Sequence, residues 1–375
     1  HVSSAASDVY KRQVLADAIE VSNDFSISNS GLFDAGGFAM DMKGDWTSNG
    51  TFTPNSNTVT FSGTGEQIIT NTSGETFYNF TSNCTGPISL EAATDITVTN
   101  TLDMTAGLFN LNSRTFTLGS SGVASTLTRT GSTTTNWVYD GTFKRFWPNG
   151  TALTTANYGL FPMGTSNASS YRPFTVSTTV NTVTDGYFTV QHSDATTTTA
   201  LDPVYDDGGT DIERISNAQF ITTSSGITGG TYDINLTMTD LNTIGSTGDL
   251  RMVKFVSGTE ASAVGTHAAA TGTTDNPTVS RTGITTIADL SNDFRVSTTD
   301  DASTPLRTFY YSRTTGNWSD ASSWSTAGCG GAAAASAPGV NDYVVICSGH
   351  EITVDGATSA DYVVINSGGS LVGAN

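Results

Sequence analysis

Between residues 22 and 130, apolar and polar residues alternate in short bursts. Examples are "TVTF" (58–61), "QIIT" (67–70), "FYNF" (77–80), "PISL" (87–90), "DITV" (95–98), "RTFTL" (114–118) and "STLTR" (125–129). A period of two is the strand period, because successive side chains point to opposite faces of a sheet. Each burst is closed by Gly, Asn, Ser or Asp, the residues that tight turns take. The bursts lie roughly ten residues apart, too close for a crossover helix between them. Two all-β solutions remain: antiparallel meanders, or a solenoid in which each strand stacks on its equivalent one turn below.

A recurrent unit separates the two. "FSISNSGLFDA" (25–35), "LDMTAGLFNLN" (102–112) and "YVVINSGGSLVGAN" (362–375) each read strand, Gly turn, strand. Aligning Gly31, Gly107 and Gly369 puts Ile27, Met104 and Ile365 before the turn. Leu32–Phe33, Leu108–Phe109 and Leu371–Val372 then follow it. A second echo joins "DITVTN" (95–100) to "EITVDG" (351–356). Self-similarity of this kind marks stacked rungs, none of which buries its inner face alone. Recurrent Thr and Asn suit such a stack, since like polar side chains form ladders. A right-handed parallel β-helix-like solenoid is therefore expected over 22–136.

The segment 137–298 reads differently. Its strands are longer, as in "RPFTVSTTV" (172–180), "GYFTVQHS" (186–193) and "TYDINLTMTD" (231–240), and large aromatics crowd it. That pattern predicts a β-sandwich around one core. "TTDDASTP" (298–305) reads as polar chain closed by Pro, giving a linker over 299–307. From 308 to 375 a second solenoid begins, with Trp318 and Trp324 expected to cap its first rung. The start, "HVSSAASDVYKRQ" (1–13), resembles translated adapter read-through at the end of a metagenomic reading frame and is set aside. The last residues break off in mid-pattern, so a fragment of a longer protein is expected.

Composition narrows the function classes. The 375 residues are only 13% charged, and Lys plus Arg number 15 against 34 Asp plus Glu, a net charge of −19. A nucleic-acid partner needs a basic stripe to replace phosphate counterions, and this chain has none. No run approaches the roughly 20 apolar residues of a membrane helix, so no membrane insertion is expected. Lys43, Lys144 and Lys254 are the only lysines after residue 13, which argues against a basic groove for a polyanion. Cys329 and Cys347 are close enough for a local disulfide in an exported protein; two buried thiols are the other reading.

Enzyme motifs are missing: the chain has neither GxSxG nor HExxH. His192, His267 and His350 read as surface or turn residues without triad or metal spacing. The densest acidic patch is "YDDGGTDIE" (205–213), where Asp206, Asp207 and Asp211 are candidate Ca²⁺ ligands. They do not follow the EF-hand spacing, and a solvated loop is the plainer reading. Trp147 and Tyr171 are candidate sugar platforms, against core packing as the alternative. N-x-[ST] triplets at Asn49 and Asn149 are expected by chance in a chain this rich in Thr and Ser.

"GNWSDASSWS" with "APGVNDYVVICSGHEITVDG", and "NGTFTPNSNTVTFSGTGEQIIT" with "ISLEAATDITVTNTLDMTAGLFNLNSRTFTLGSSG", resemble modules of the large repetitive adhesin-like surface proteins of gliding bacteria. Those proteins leave the cell by the type IX route and carry pectate-lyase-like β-solenoid modules. "YGLFPMGTSNASSYRPFTV" resembles the start of their inter-solenoid sandwich. The resemblance implies a secreted or cell-surface location and carries over no catalytic residue. The expected function is thus an adhesin-like structural or binding repeat protein without catalysis or an obligate cofactor. Its partners would be surface glycans or other extracellular polymers, and the sequence does not set an oligomeric state. A carbohydrate-binding module is the alternative, and a polysaccharide-active β-helix enzyme the third reading.

Overall fold

The computed structural model describes residues 12–374 apart from 92, 124, 131–135, 179–183, 196–197, 242, 257–259, 340–341 and 361. It is all-β and begins with a β-solenoid. Three parallel ladders run along the solenoid. The first stacks Arg12–Val14, Leu32–Asp34 and Thr51–Thr53. The second stacks Ile19–Val21, Met40–Met42, Thr58–Phe61, Glu75–Asn83 and Ile96–Ala106, and the last of these also pairs with Thr115–Leu118 and Thr126–Arg129. The third stacks Phe25–Ile27, Trp46–Ser48, Gln67–Thr70, Ile88–Leu90, Phe109–Asn110 and Val138–Tyr139.

The period of the fold is one rung. Met40, Val59, Phe80, Leu102 and Leu127 share one inward position, 19, 21, 22 and 25 residues apart. Polar side chains mark the same period on the outside. Asn55 donates to Asp34, Ser62 to Asp41 and Asn100 to Asn79, each across 21 residues. Aligning the three glycines joins two kinds of turn: Gly31 and Gly369 each follow a left-handed residue, Ser30 and Gly368, and donate three residues back, whereas Gly107 is itself left-handed. Gly31 joins a third-ladder strand to a first-ladder strand, whereas Gly107 joins the second ladder to the third. Ile27 and Met104 are buried, while Ile365 is exposed on the last described strand of its ladder, above the buried Ile346. At Gly107, φ is +84°, and a Cβ would lie 2.5 Å from the Cys84 sulfur, so only glycine fits this corner.

The solenoid passes into the sandwich through one strand. Thr142–Trp147 pairs parallel with Thr115–Leu118 and antiparallel with Gly186–Ser193. The same sheet continues antiparallel through Asp211–Ser225, Asp293–Thr298 and Leu250–Val256. A second sheet, ordered Leu160–Phe161, Phe174–Thr178, Tyr232–Thr237, Asn276–Ile284 and Thr266–Thr273, closes the sandwich. No core boundary falls at residue 137. One hydrophobic cluster runs from Ala35 to Leu306, and an aromatic chain Phe80, Phe116, Phe143, Phe161, Phe188 crosses the junction at centroid spacings of 5.4 to 6.3 Å.

The expected linker is instead bound chain. Thr304, Leu306 and Arg307 are buried, and the Thr304 hydroxyl accepts the Gly245 and Ser246 N–H groups. Asp301 receives Arg214 at 2.6 Å and Arg307 at 3.3 Å. Polar residues that look like linker in sequence thus satisfy buried donors here.

The second solenoid has its own small core of Tyr310, Trp318, Trp324, Val344, Ile346 and Ile352. Its two ladders stack Phe309–Ser312, Tyr343–Ile346 and Tyr362–Ile365, and Gly316–Asn317, Glu351–Val354 and Ser370–Gly373. Trp324–Ser325 lies antiparallel on the free edge of the first rung, with Trp324 edge-on to Trp318 at 5.2 Å. The tryptophans thus cap the stack as expected. Of residues 1–13, only Arg12 and Gln13 fall among the described ones, as backbone of the first strand.

Candidate binding surface at the solenoid–sandwich junction

The acidic patch forms a hairpin tip between Thr198–Asp206 and Asp211–Ser225. Asp206 and Asp211 face each other across it, exposed, and the Asp206 carboxylate accepts the Gly209 N–H. Asp207 turns inward and is buried. Arg281 clamps it with two nitrogens at 3.1 and 2.6 Å, and Arg251 adds a third bond at 2.9 Å. Burial by itself would raise the Asp207 carboxyl, but the hydrogen bonds from Arg281 and Arg251 outweigh it and hold the group below the usual carboxylate range. The three-carboxylate set expected for Ca²⁺ is therefore not assembled. Among the described residues, no three His, Cys, Asp or Glu side chains converge as a metal-binding group.

Trp147 and Tyr171 are also placed otherwise than as sugar platforms. Trp147 is fully buried, stacked on Phe188 at 4.7 Å, and its indole N–H donates to the Tyr158 carbonyl at 3.0 Å. Tyr171 lies between Trp137 and the Arg129 guanidinium, which sits 3.8 Å above its ring. Both rings are spent on packing, because each falls on the inward side of its strand or turn. Cys329 and Cys347 are disulfide-bonded, with Cα atoms 5.9 Å apart, and tie the capping segment to the second rung. Cys84 is a buried free thiol.

His192 corrects the surface reading given to the histidines. It is buried in the strand Gly186–Ser193 and stacks on Phe220 at 4.4 Å. An Arg172 N–H lies 3.3 Å from Nε2, so Nε2 is the acceptor, and Nδ1 donates to the Gln219 carbonyl at 3.0 Å. Burial, with the Arg172 charge added to it, lowers the imidazole from 6.5 to about 4. Between those values the unfolded chain binds more protons than the folded one. Stability should therefore fall by on the order of 3 kcal/mol as pH drops from about 6.5 to about 4. Urea melts at pH 4, 5 and 7 would measure that slope. His192→Gln, which can keep both hydrogen bonds without titrating, should flatten it.

The same network builds the floor of a surface groove. Arg172, itself buried, also donates to Asp194, whose side chain is 46% exposed. Asp194, His192 and Gln191 line a cavity of about 400 Å³ together with Tyr139, Asp140 and Ser166. Tyr139 and Ser166 are shared with an adjoining apolar cavity of about 420 Å³, floored by Pro87, Gly107 and Leu108. The two cavities form one groove from the solenoid's third ladder onto the sandwich. Tyr139 is half-buried, and burial, with Glu66 and Asp140 nearby, raises its phenol above the usual value, so the hydroxyl stays protonated. Asp140 follows in the left-handed conformation, φ +54°, which turns the chain sharply into the junction strand. The sequence signal for this corner was "VYDG" (138–141), an aromatic beside a turn pair. Nothing local linked it to Asp194.

Compared with known proteins, the chain matches no family model, no curated protein and no solved structure.

Proposed function

We propose that the chain is part of a secreted or cell-surface adhesin-like protein, a stiff β-stalk that holds a binding surface away from its anchor. The observation behind this reading is the strand Thr142–Trp147, which belongs to the parallel stack and the antiparallel sandwich at once. A core continuous across two architectures resists hinge motion, because the buried residues on both sides pack as one cluster. The Cys329–Cys347 bond fits an oxidising, extracellular setting. The groove at the junction favours a second reading, that binding includes carbohydrate.

Pulling the whole chain by its ends in a force spectrometer tests the stalk. Residues 12–307 should give way in a single event that releases roughly 100 nm of chain, separate from the disulfide-bonded module. Independent release of solenoid and sandwich would overturn the stalk reading.

A further inference from the structure

We infer that the groove between Tyr139 and Asp194 binds a short stretch of neutral polysaccharide, its sugar hydroxyls held by acceptors and one ring packed on Tyr139. This rests on the surface-binding reading above and names its site and ligand class.

The chemistry of the walls selects the ligand. A pyranose has an apolar C–H face and a rim of hydroxyl groups. A half-exposed aromatic ring suits the first, and carboxylates, which only accept, suit the second. Tyr139 lines both the apolar and the polar half of the groove, flanked by Asp140, with Asp194 and Gln191 also lining the polar half. Asp194 is pre-positioned: the buried Arg172 grips it from behind, and Arg172 is itself fixed by its bond to the Thr239 carbonyl at 2.9 Å. A fixed acceptor loses little entropy on binding. His192 beneath it stays uncharged at neutral pH, so it adds no cation to the floor.

Charge excludes the other class. Neither cavity is lined by Lys or Arg among the described residues, and Asp140 and Asp194 line the polar one, Asp194 with its charge shared by Arg172. A uronate or sulfated chain would be repelled there, in a protein whose net charge is already −19. The apolar half of the groove lies at the solenoid's corner, where Gly86 and Gly107 bring backbone to its surface. An extended chain can thus enter without a closed pocket.

Calorimetric titration of the whole protein with cellotetraose and mannotetraose, and with tetragalacturonate as the anionic counterpart, tests this. At least one neutral tetrasaccharide should bind and the tetragalacturonate should not. Tyr139→Ala should weaken binding about tenfold or more, and Tyr139→Phe by no more than about threefold. Hydrogen exchange on the wild type gives a readout independent of any variant: sugar should protect 139–141 and 190–194. Binding of the uronate alone, no binding of either neutral sugar, unchanged affinity in Tyr139→Ala, or protection elsewhere would overturn the assignment. Release of new reducing ends would also overturn it, because the site would then be hydrolytic. The pulling experiment is unaffected by these outcomes, so the stalk and the groove fail separately.

Discussion

Replacing Asp207 with alanine should cost the fold about 3–5 kcal/mol, measured as a shift in the urea midpoint at pH 7. The carboxylate is the counter-charge for two guanidiniums, and Arg281 is almost wholly buried. Removing it leaves two positive charges facing each other out of water, with His267 as a near neighbour already pushed below its usual value by burial and by those arginines. The effect should have a pH signature. Asp207 titrates lower when folded than when unfolded. Its contribution is therefore complete above the ordinary carboxylate value and is lost as pH falls through the depressed one. Wild type and variant should converge towards acid. Adding Ca²⁺ should move neither melt; a rise for the wild type alone would restore Asp207 as a metal ligand.

Trp147→Ala should be equally costly, about 3–5 kcal/mol, and its reach is the more telling result. The indole fills the junction between Phe188, Phe161 and Tyr232 on the strand common to both architectures. Hydrogen exchange should therefore show loss of protection on both sides, in Ile96–Ala106 as well as in Phe174–Thr178. Trp324 is just as buried but sits in the separate core of the second module. Trp324→Ala should loosen only residues beyond 308. Loss of protection confined to the sandwich in Trp147→Ala would mean that the two cores are not one.

Local signals carried the fold far. Period-two bursts and turn residues identified the strands, and their close spacing excluded crossover helices. The aromatic density after 137 marked the sandwich. Hidden from that reading was how a strand can serve two neighbours of opposite direction. "TFKRFW" alternates like any other burst, and only its partners, Thr115–Leu118 and Gly186–Ser193, give it that role. The rung length was blurred for a similar reason. Glycine turns recur at several different corners, whereas the inward residue changes from Met to Val to Phe to Leu along one ladder.

The site was the least legible part. Asp207 looks like its neighbours Asp206 and Asp211 in sequence, yet its partners are 44 and 74 residues away. Asp194 and Tyr139 line one cavity although 55 residues separate them, because one lies in the sandwich and the other on the solenoid's third ladder. The disulfide was the exception, since a separation of 18 residues is short enough to suggest it directly.

The cross-rung bonds, at separations of 21 to 25, set a unit for evolutionary change in length. Losing or gaining a whole rung leaves inward residues over inward residues and keeps polar pairs such as Asn55–Asp34 and Asn100–Asn79 one turn apart. Losing a single residue within a strand turns the rest of that strand inside out. Homologues of this solenoid should thus differ in length by steps of about one rung, or at the corners, and hardly ever in between.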